Sequence, residues 1–312
     1  MTTMRAALYD RHGPADVIRI QTVALPDPGP GEVLVRLAAA SVTPLDWKLR
    51  AGLLAQHFTL DFPKIPGRDG AGTVIACGPG VARFAPGDRV AVMAPPAGRA
   101  GTHAEAIAVP DALCVPIPAA LDLIEAGALV NAGLSAWIAL SRAPEVGPGT
   151  RVLVQAGAGA VGGLIVQLAA ARGAEVTATC RAANADYVRG LGAARVIAYD
   201  RPAPGDLPPQ GVAFDLMGGA VHAACYPLLA PGGLLVWLNA APIVDRARDF
   251  GVRVVNAGIR DDAQAVTEVL TQAADGRLSA QIAERLPLER AAEAQTMVEQ
   301  GRVSRGRLMI LP

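Results

Sequence analysis

A chain of 312 residues is long enough for two domains of ordinary size. Hydrophobic residues make up 52% and charged residues 18%, which describes a globular chain with a large core and excludes a disordered one. The 28 Lys and Arg balance the 28 Asp and Glu and form no basic stripe, so neither nucleic acid nor an acidic membrane is an expected partner.

The N-terminus lacks a charged-then-apolar leader pattern and no run reaches about 18 uninterrupted apolar residues, so the cytoplasm is the expected location. Up to about residue 120 the chain reads as β-rich. Short apolar runs at 33–38, 73–76 and 90–93 alternate with the turns Pro28-Gly29-Pro30-Gly31, Gly78-Pro79-Gly80 and Pro86-Gly87-Asp88. That spacing predicts a small barrel-like domain. From about Asp122 the pattern changes, with helices predicted over 123–130 and 134–142. Strands then alternate with helices. Strands are expected at 152–154, 174–179, 196–199, 212–217, 233–238 and 252–257, and helices at 164–172, 184–191 and 220–229. This order predicts a parallel, doubly wound sheet. Helices at 262–274 and 291–299 and a last strand at 307–311 are expected to return to the first domain, leaving a cleft between the two.

The strand, turn and helix over 152–172 carry the clearest chemistry. Gly157-Ala158-Gly159-Ala160-Val161-Gly162 stands between a buried strand and an apolar helix, and a second strand follows. A dinucleotide pyrophosphate needs backbone N–H groups at a helix N-terminus and no side chains in the way. Gly157 is expected to allow the tight turn, Gly159 the approach of the phosphates, and Gly162 the close lie of helix on strand. An acidic residue after the second strand would bind the ribose 2′-OH of NAD, whereas an arginine there suits a 2′-phosphate. Glu175 sits at the wrong end of that strand and Arg181 at the right one. A guanidinium pairs bidentately with phosphate, so the pattern points to NADPH. Cys77, Cys114, Cys180 and Cys225 form no C-x-x-C pair, and His12, His57, His103 and His222 are scattered, so no metal site is expected.

Several segments follow one another in a specific order. They are Val42-Thr43-Pro44-Leu45-Asp46-Trp47-Lys48-Leu49-Arg50-Ala51-Gly52, Gly67-Arg68-Asp69-Gly70-Ala71-Gly72, Gly101-Thr102-His103-Ala104-Glu105, the glycine turn, Asp215-Leu216-Met217-Gly218-Gly219, Leu229-Ala230-Pro231-Gly232-Gly233 and Arg305-Gly306-Arg307. In that order the chain resembles the medium-chain dehydrogenase/reductase superfamily, in its zinc-free quinone oxidoreductase (zeta-crystallin-like) branch. The resemblance implies an α/β fold with a GroES-like β-barrel catalytic domain over 1–121, a Rossmann doubly wound parallel-sheet NADP-binding domain over 122–257, and a return to the catalytic domain over 258–312. It also implies a homodimer, with the 233–238 and 252–257 strands as the edge. The superfamily's alcohol dehydrogenases place a Cys zinc ligand within the segment that is 42–46 here, and Gly-His-Glu where this chain has Gly67-Arg68-Asp69. Both ligands are replaced, so zinc-assisted alcohol chemistry is not expected.

The implied reaction is hydride transfer from NADPH to a quinone or to an α,β-unsaturated carbonyl, with solvent supplying the proton. Lys48 is the candidate on the substrate side, with Thr43 standing where the branch usually has Asn. Asp46 and Arg50 are expected to form a buried pair. On the cofactor side, Ala160 and Val161 complete the pyrophosphate turn. Asn184 and Tyr199 are expected to join Arg181 around the 2′-phosphate, and Arg307 to reach the same group. Ser135 is placed beside the nicotinamide, and Leu238 with Asn239 at the strand end that borders the cleft. The Pro/Gly-rich segment 93–101 is expected to leave the cleft open to bulky substrates. Two other readings stay open: a pathway-specific biosynthetic enzyme on the same fold, possibly one catalysing a non-reductive step, and a non-catalytic NADPH-binding protein.

Overall fold

The computed structural model describes residues 2–202, 207–238 and 243–312. Its first part is built from β1 (Thr3–Leu8), β2 (Arg19–Ala24), β3 (Glu32–Val42), α1 (Pro44–Arg50), β4 (Asp69–Cys77), β5 (Arg89–Met93), β6 (Ala106–Pro110), β7 (Cys114–Pro116) and α2 (Leu123–Ser141). The nucleotide-type half then runs β8 (Arg151–Val154), α3 (Ala160–Ala171), β9 (Glu175–Cys180), α4 (Ala185–Gly190), β10 (Arg195–Ala198), β11 (Gln210–Asp215), α5 (Gly219–Cys225), β12 (Leu229–Trp237), α6 (Ala247–Phe250) and β13 (Arg253–Asn256). The chain ends with α7 (Ala263–Ala274), β14 (Ile282–Pro287), α8 (Ala291–Glu299) and β15 (Arg307–Leu311).

Two main sheets result. One has the order β14-β15-β3-β4-β5-β7, and β6 also pairs with β3. Strand β3 makes this sheet curl. It pairs with β4 on one edge and divides the other edge between β6 at residues 32–36 and β15 at residues 40–42. Shifts of register at Leu34/Val35 and Leu37/Ala39 bend it further. The second sheet is parallel, with the order β10-β9-β8-β11-β12-β13. Its central strands are buried on both faces, which explains their continuous apolar runs. Val152, Val154, Val212, Phe214, Leu234 and Val236 face the cluster under α2, α3 and α7, while Leu153, Ala213 and Leu235 face Tyr226 and Leu229 on the other side. Strand β12 is therefore interior, and β13 alone, not the two together, forms that edge of the sheet, with β10 at the other.

Helix α2 is continuous where the sequence suggested a break after residue 130. The apparent break is a seam of small residues. A Cβ on Gly127 would come within 3.4 Å of the backbone of Ala39 and Ala71, and one on Gly133 within 2.4 Å of Val269 Cγ1. By length and composition α2 could cross a membrane, but here it is buried between the two sheets.

Candidate functional site

The parallel sheet reverses direction at β8. Chain order runs from β8 outward through β9 to β10, then returns to the other side of β8 with β11. Ligand crevices in such sheets open at the carboxyl ends of the strands at this switch point. The glycine turn lies there. Its left-handed residue is Ala156, with φ 54°, not Gly157 as the sequence suggested. The Ala156 N–H donates to Thr179 Oγ1 at 3.0 Å and the Gly157 N–H to the Thr179 carbonyl at 2.8 Å, so β9 holds the strained turn in place. Gly157 is needed for space, because a Cβ there would sit 2.7 Å from the Ala178 Cβ. Gly162 has a Cβ position 2.3 Å from the Ala156 carbonyl oxygen, so helix and turn touch. At Gly159 a Cβ would meet only that same oxygen, at 3.3 Å, and would project otherwise into the cleft. The first N–H bond within α3 is Gly163 to the Gly159 carbonyl, 2.8 Å, which leaves the N–H groups of Ala160, Val161 and Gly162 at the helix mouth for an anion.

Two adjoining hollows form the cleft. One of about 400 Å³ is lined by Gln155, Ala158, Gly159, Thr179, Arg181 and Tyr199 on the sheet side and by Met217, Val221, Gly301, Val303 and Ser304 opposite. The other, about 330 Å³, runs from Gly159, Ala160, Val161 and Gly162 past Leu216 and Met217 to Val42, Pro44 and Arg307. Among the described residues neither lining contains a carboxylate. Arg181 is exposed and has no ion-pair partner among the described residues. Tyr199 beside it is 62% exposed.

Asn184 is elsewhere than expected. It is buried, and its amide donates to the Ser304 carbonyl at 2.9 Å, tying the 301–306 segment to the nucleotide half. The Gly306 N–H adds a bond to the Ala158 carbonyl at 2.9 Å. Arg307 does not join Arg181. It is buried at the other end of the cleft, with Nη1 donating to Ser41 Oγ at 2.9 Å and lying 3.5 Å from Asp69 Oδ2. Its Nε is buried without a partner among the described residues. Burial pushes the Asp69 carboxyl above its ordinary range, and Arg307, the Ser41 hydroxyl and the Asn131 N–H oppose that shift.

On the catalytic-sheet side, Thr43 caps α1. Its N–H and its hydroxyl both donate to Asp46 Oδ2, at 2.6 and 2.9 Å, and the Gly67 N–H donates to Asp46 Oδ1 at 3.1 Å. The expected Asp46–Arg50 pair does not form. Arg50 instead donates to the Gln295 side chain, the Gly13 carbonyl and Glu299, because α8 packs directly on α1. Lys48 is half-buried with its ammonium 5.7 Å from the Trp47 ring centre, has no ion pair among the described residues, and lines neither hollow. Ser135 is buried in α2 and Leu238 follows β12, both outside the lining; Asn239 lies outside the described residues. The 93–101 segment lies against residues 59–68, through bonds such as Ile65 N–H to the Arg99 carbonyl at 2.9 Å, and covers neither hollow. Sequence reasoning missed the contributions of Val221, Val298 and Val303 to the cleft wall. Apolar residues, whether on a helix as Val221 and Val298 or in a loop as Val303, carry no ligand signal of their own.

Comparison with known proteins interprets this geometry. Residues 29–119 match the alcohol dehydrogenase GroES-like domain, and residues 191–310 the domain described as zinc-binding dehydrogenase. The chain is 36% identical over 251 residues to a chloroplastic quinone-oxidoreductase homolog of Spinacia oleracea, covering 77% of this chain and 76% of that one. The chain belongs to the medium-chain dehydrogenase/reductase superfamily, in its quinone oxidoreductase branch. It is also 31% identical over 282 residues to the human mitochondrial NAD(P)H oxidoreductase RTN4IP1, covering 83% of this chain and 69% of that one. Among solved structures, the quinone oxidoreductase from Coxiella burnetii superposes with a TM-score of 0.90 at 27% identity, with all of both chains covered. Members of this superfamily are NAD(P)-binding oxidoreductases, and the glycine turn and open helix mouth fit such a dinucleotide.

The residues present do not fit the superfamily's zinc. Among the described residues no three His, Cys, Asp or Glu side chains gather as a metal site. Arg68 stands in the Gly67-Arg68-Asp69 segment, and its guanidinium is held by the Ala94 carbonyl and by Asp261. A cation at that position repels a second one.

Proposed function

We propose that this protein is a zinc-independent, NADPH-dependent oxidoreductase that delivers hydride to a quinone or to an α,β-unsaturated carbonyl. The observation that carries the cofactor choice is Arg181. It is an exposed guanidinium at the end of β9, unpaired among the described residues, in a hollow where the described lining has no carboxylate to receive a ribose 2′-OH. Tyr199 beside it offers a ring face and a hydroxyl to the same ribose phosphate. The N–H groups of Ala160, Val161 and Gly162 hold the pyrophosphate.

Bound in this cleft, NADPH supplies the hydride. The acceptor class is supported by the quinone oxidoreductase relatives and by the absence of a fitting donor set for a Lewis acid among the described residues. A conjugated acceptor is already electron-poor and needs no metal to polarise it. The Thr43 hydroxyl donates its hydrogen bond to Asp46, so toward a ligand its oxygen accepts and does not donate. That suits a ribose or product hydroxyl better than a developing oxyanion. Lys48 lines neither hollow, so its assignment as the cation for that oxyanion rests on the family resemblance and on its being unpaired among the described residues at the end of a flexible stem.

The test follows nucleotide absorbance with a 1,4-benzoquinone, 9,10-phenanthrenequinone, a 2-alkenal and a cyclic enone. Turnover is expected with NADPH well above NADH. Arg181→Ala should raise KM for NADPH by ~10- to 100-fold, the value of losing a charged hydrogen bond of about 1.5–3 kcal/mol, and leave KM for NADH unchanged. Equal use of both nucleotides by the wild type would refute the NADPH assignment. Tight nucleotide binding without turnover on any acceptor would refute the reductase.

A further inference from the structure

Beneath the cleft lies a buried polar chain that none of the proposed chemistry uses. Asp215 ends β11 and is fully buried. Its Oδ1 accepts the N–H groups of Met217 and Gly218, both at 2.9 Å. Its Oδ2 accepts Nδ1 of His222 at 2.8 Å. His222, itself fully buried, has Nε2 3.1 Å from the Tyr226 hydroxyl, which in turn accepts the Arg246 N–H at 3.1 Å. The His222 ring also stands edge-on to Tyr226 and Trp237, with centres 5.3 and 6.4 Å away.

This chain joins two loops at the carboxyl ends of neighbouring strands. The first is the turn 216–219, which Asp215 folds back on itself. There Gly218 and Gly219 take φ of 74° and 54°, conformations that few other residues adopt. The second is the segment at 244–246, after β12. Met217 lines both hollows of the cleft, Leu216 one and Val221 the other, so the turn is its floor. His222 touches neither hollow. With no nucleophile and no opening to the cleft, the Asp215–His222–Tyr226 set is no hydrolytic triad.

We infer that His222 is a positioning residue for the nucleotide: through Asp215 it fixes the floor turn, through Tyr226 it braces that turn against the 244–246 segment, and so it sets nucleotide affinity without touching the ligand. This rests on the assignment of the cleft as a nicotinamide nucleotide site. Removing the imidazole leaves a buried carboxylate oxygen without its donor, and the turn must then re-form toward water. The floor offers the apolar side chains Leu216, Met217 and Val221, which between them line both hollows and carry no charge to read a 2′-phosphate, so the loss applies to NADPH and NADH alike.

The experiment titrates NADPH and NADH by fluorescence into wild type, His222→Leu, His222→Asn and Tyr226→Phe, with turnover measured in parallel. His222→Leu should weaken both nucleotides by ~10-fold with kcat within ~2-fold, because about 1.4 kcal/mol is lost from binding. Asn can donate to Asp215 from the place of Nδ1, so His222→Asn should recover most of the affinity. Tyr226→Phe should give a smaller loss of the same sign. A merely structural effect would lower the folded fraction and the apparent kcat while leaving Kd unchanged, and that result overturns the inference. If His222→Leu does not fold, Tyr226→Phe decides: a Kd equal to wild type for that variant overturns it as well. A wild type that binds neither nucleotide would instead overturn the cleft assignment itself, and the inference with it.

Discussion

The chain has two lysines, Lys48 and Lys64, and sequence and structure distinguish them differently. The motif around Lys48 drew attention to it, whereas Lys64 reads as an ordinary residue between prolines. Yet Lys64 is only 2% exposed, with Nζ donating to the Ala100 carbonyl at 2.6 Å. Burial pulls its pKa down to about 8, with Arg68 adding to the shift and Asp46 and Asp61 opposing it. The folded state therefore releases this proton near pH 8, while the unfolded chain keeps it to about 10.5. Between those values the unfolded state binds more protons, so stability rises with pH. Below pH 8 the folded protein carries the full penalty of a buried ammonium, up to ~3 kcal/mol for a shift of this size. Melting temperatures of wild type and Lys64→Met, compared from pH 7 to 10.5, should show the wild type gaining on the variant as pH rises. A constant difference would mean that Lys64 is not held in the desolvated site. Residue-scale chemistry of this kind was illegible beforehand because burial comes from segments distant in sequence: Ala100 reaches Lys64 across 36 positions. The same holds for Arg307, whose charge was legible but whose partners, Asp69 and Ser41, were not.

At the scale of elements, periodicity and turn residues located most of the nucleotide half. The helix at 291–299 and the strand at 307–311 fall where their patterns put them. Strand β14 escaped because only Leu286 of its six residues is buried, which leaves no alternation to read. The apparent break in α2 came from Gly133, and its cause is the approach of α7. That contact is testable. Gly→Ala inside a helix is ordinarily favourable by about 1 kcal/mol. At Gly133 the added methyl meets Val269 Cγ1 at 2.4 Å, so overpacking of about 1–3 kcal/mol should reverse the sign. Gly133→Ala should therefore lower stability to urea, and the further change Val269→Ala should recover part of the loss. The double-mutant cycle should show a coupling of at least ~0.5 kcal/mol. Additive effects would show that the two helices do not interlock at this point.

At the scale of the whole molecule, the two sheets look separable in strand order but share their supports. Helix α2 packs on β3, β4 and β5 of one sheet and on α3 over the other, and α7 packs on α2 in turn. A single core cluster accordingly runs from Ala71, Ala91 and Val115 in the curled sheet to Val154, Phe214 and Val236 in the parallel one. Further ties cross the same boundary: Arg68 to Asp261, Asn184 to the Ser304 carbonyl, and the Gly306 N–H to the Ala158 carbonyl. Unfolding either half alone would strip α2 of one face and expose that continuous core, so neither half has a stable intermediate in which the other is lost. Calorimetry should give one transition with equal calorimetric and van't Hoff enthalpies, as a smaller single domain would. On the proposed assignment a nucleotide in the cleft would touch both halves, through Arg181 and the glycine turn on one side and Val42, Pro44 and Leu308 on the other. Saturating NADPH should therefore raise the whole transition without splitting it, by about 2.7 kcal/mol at a hundredfold excess over Kd. Two resolved transitions, only one of them moved by NADPH, would show instead that the shared helix does not bind the halves into one cooperative unit.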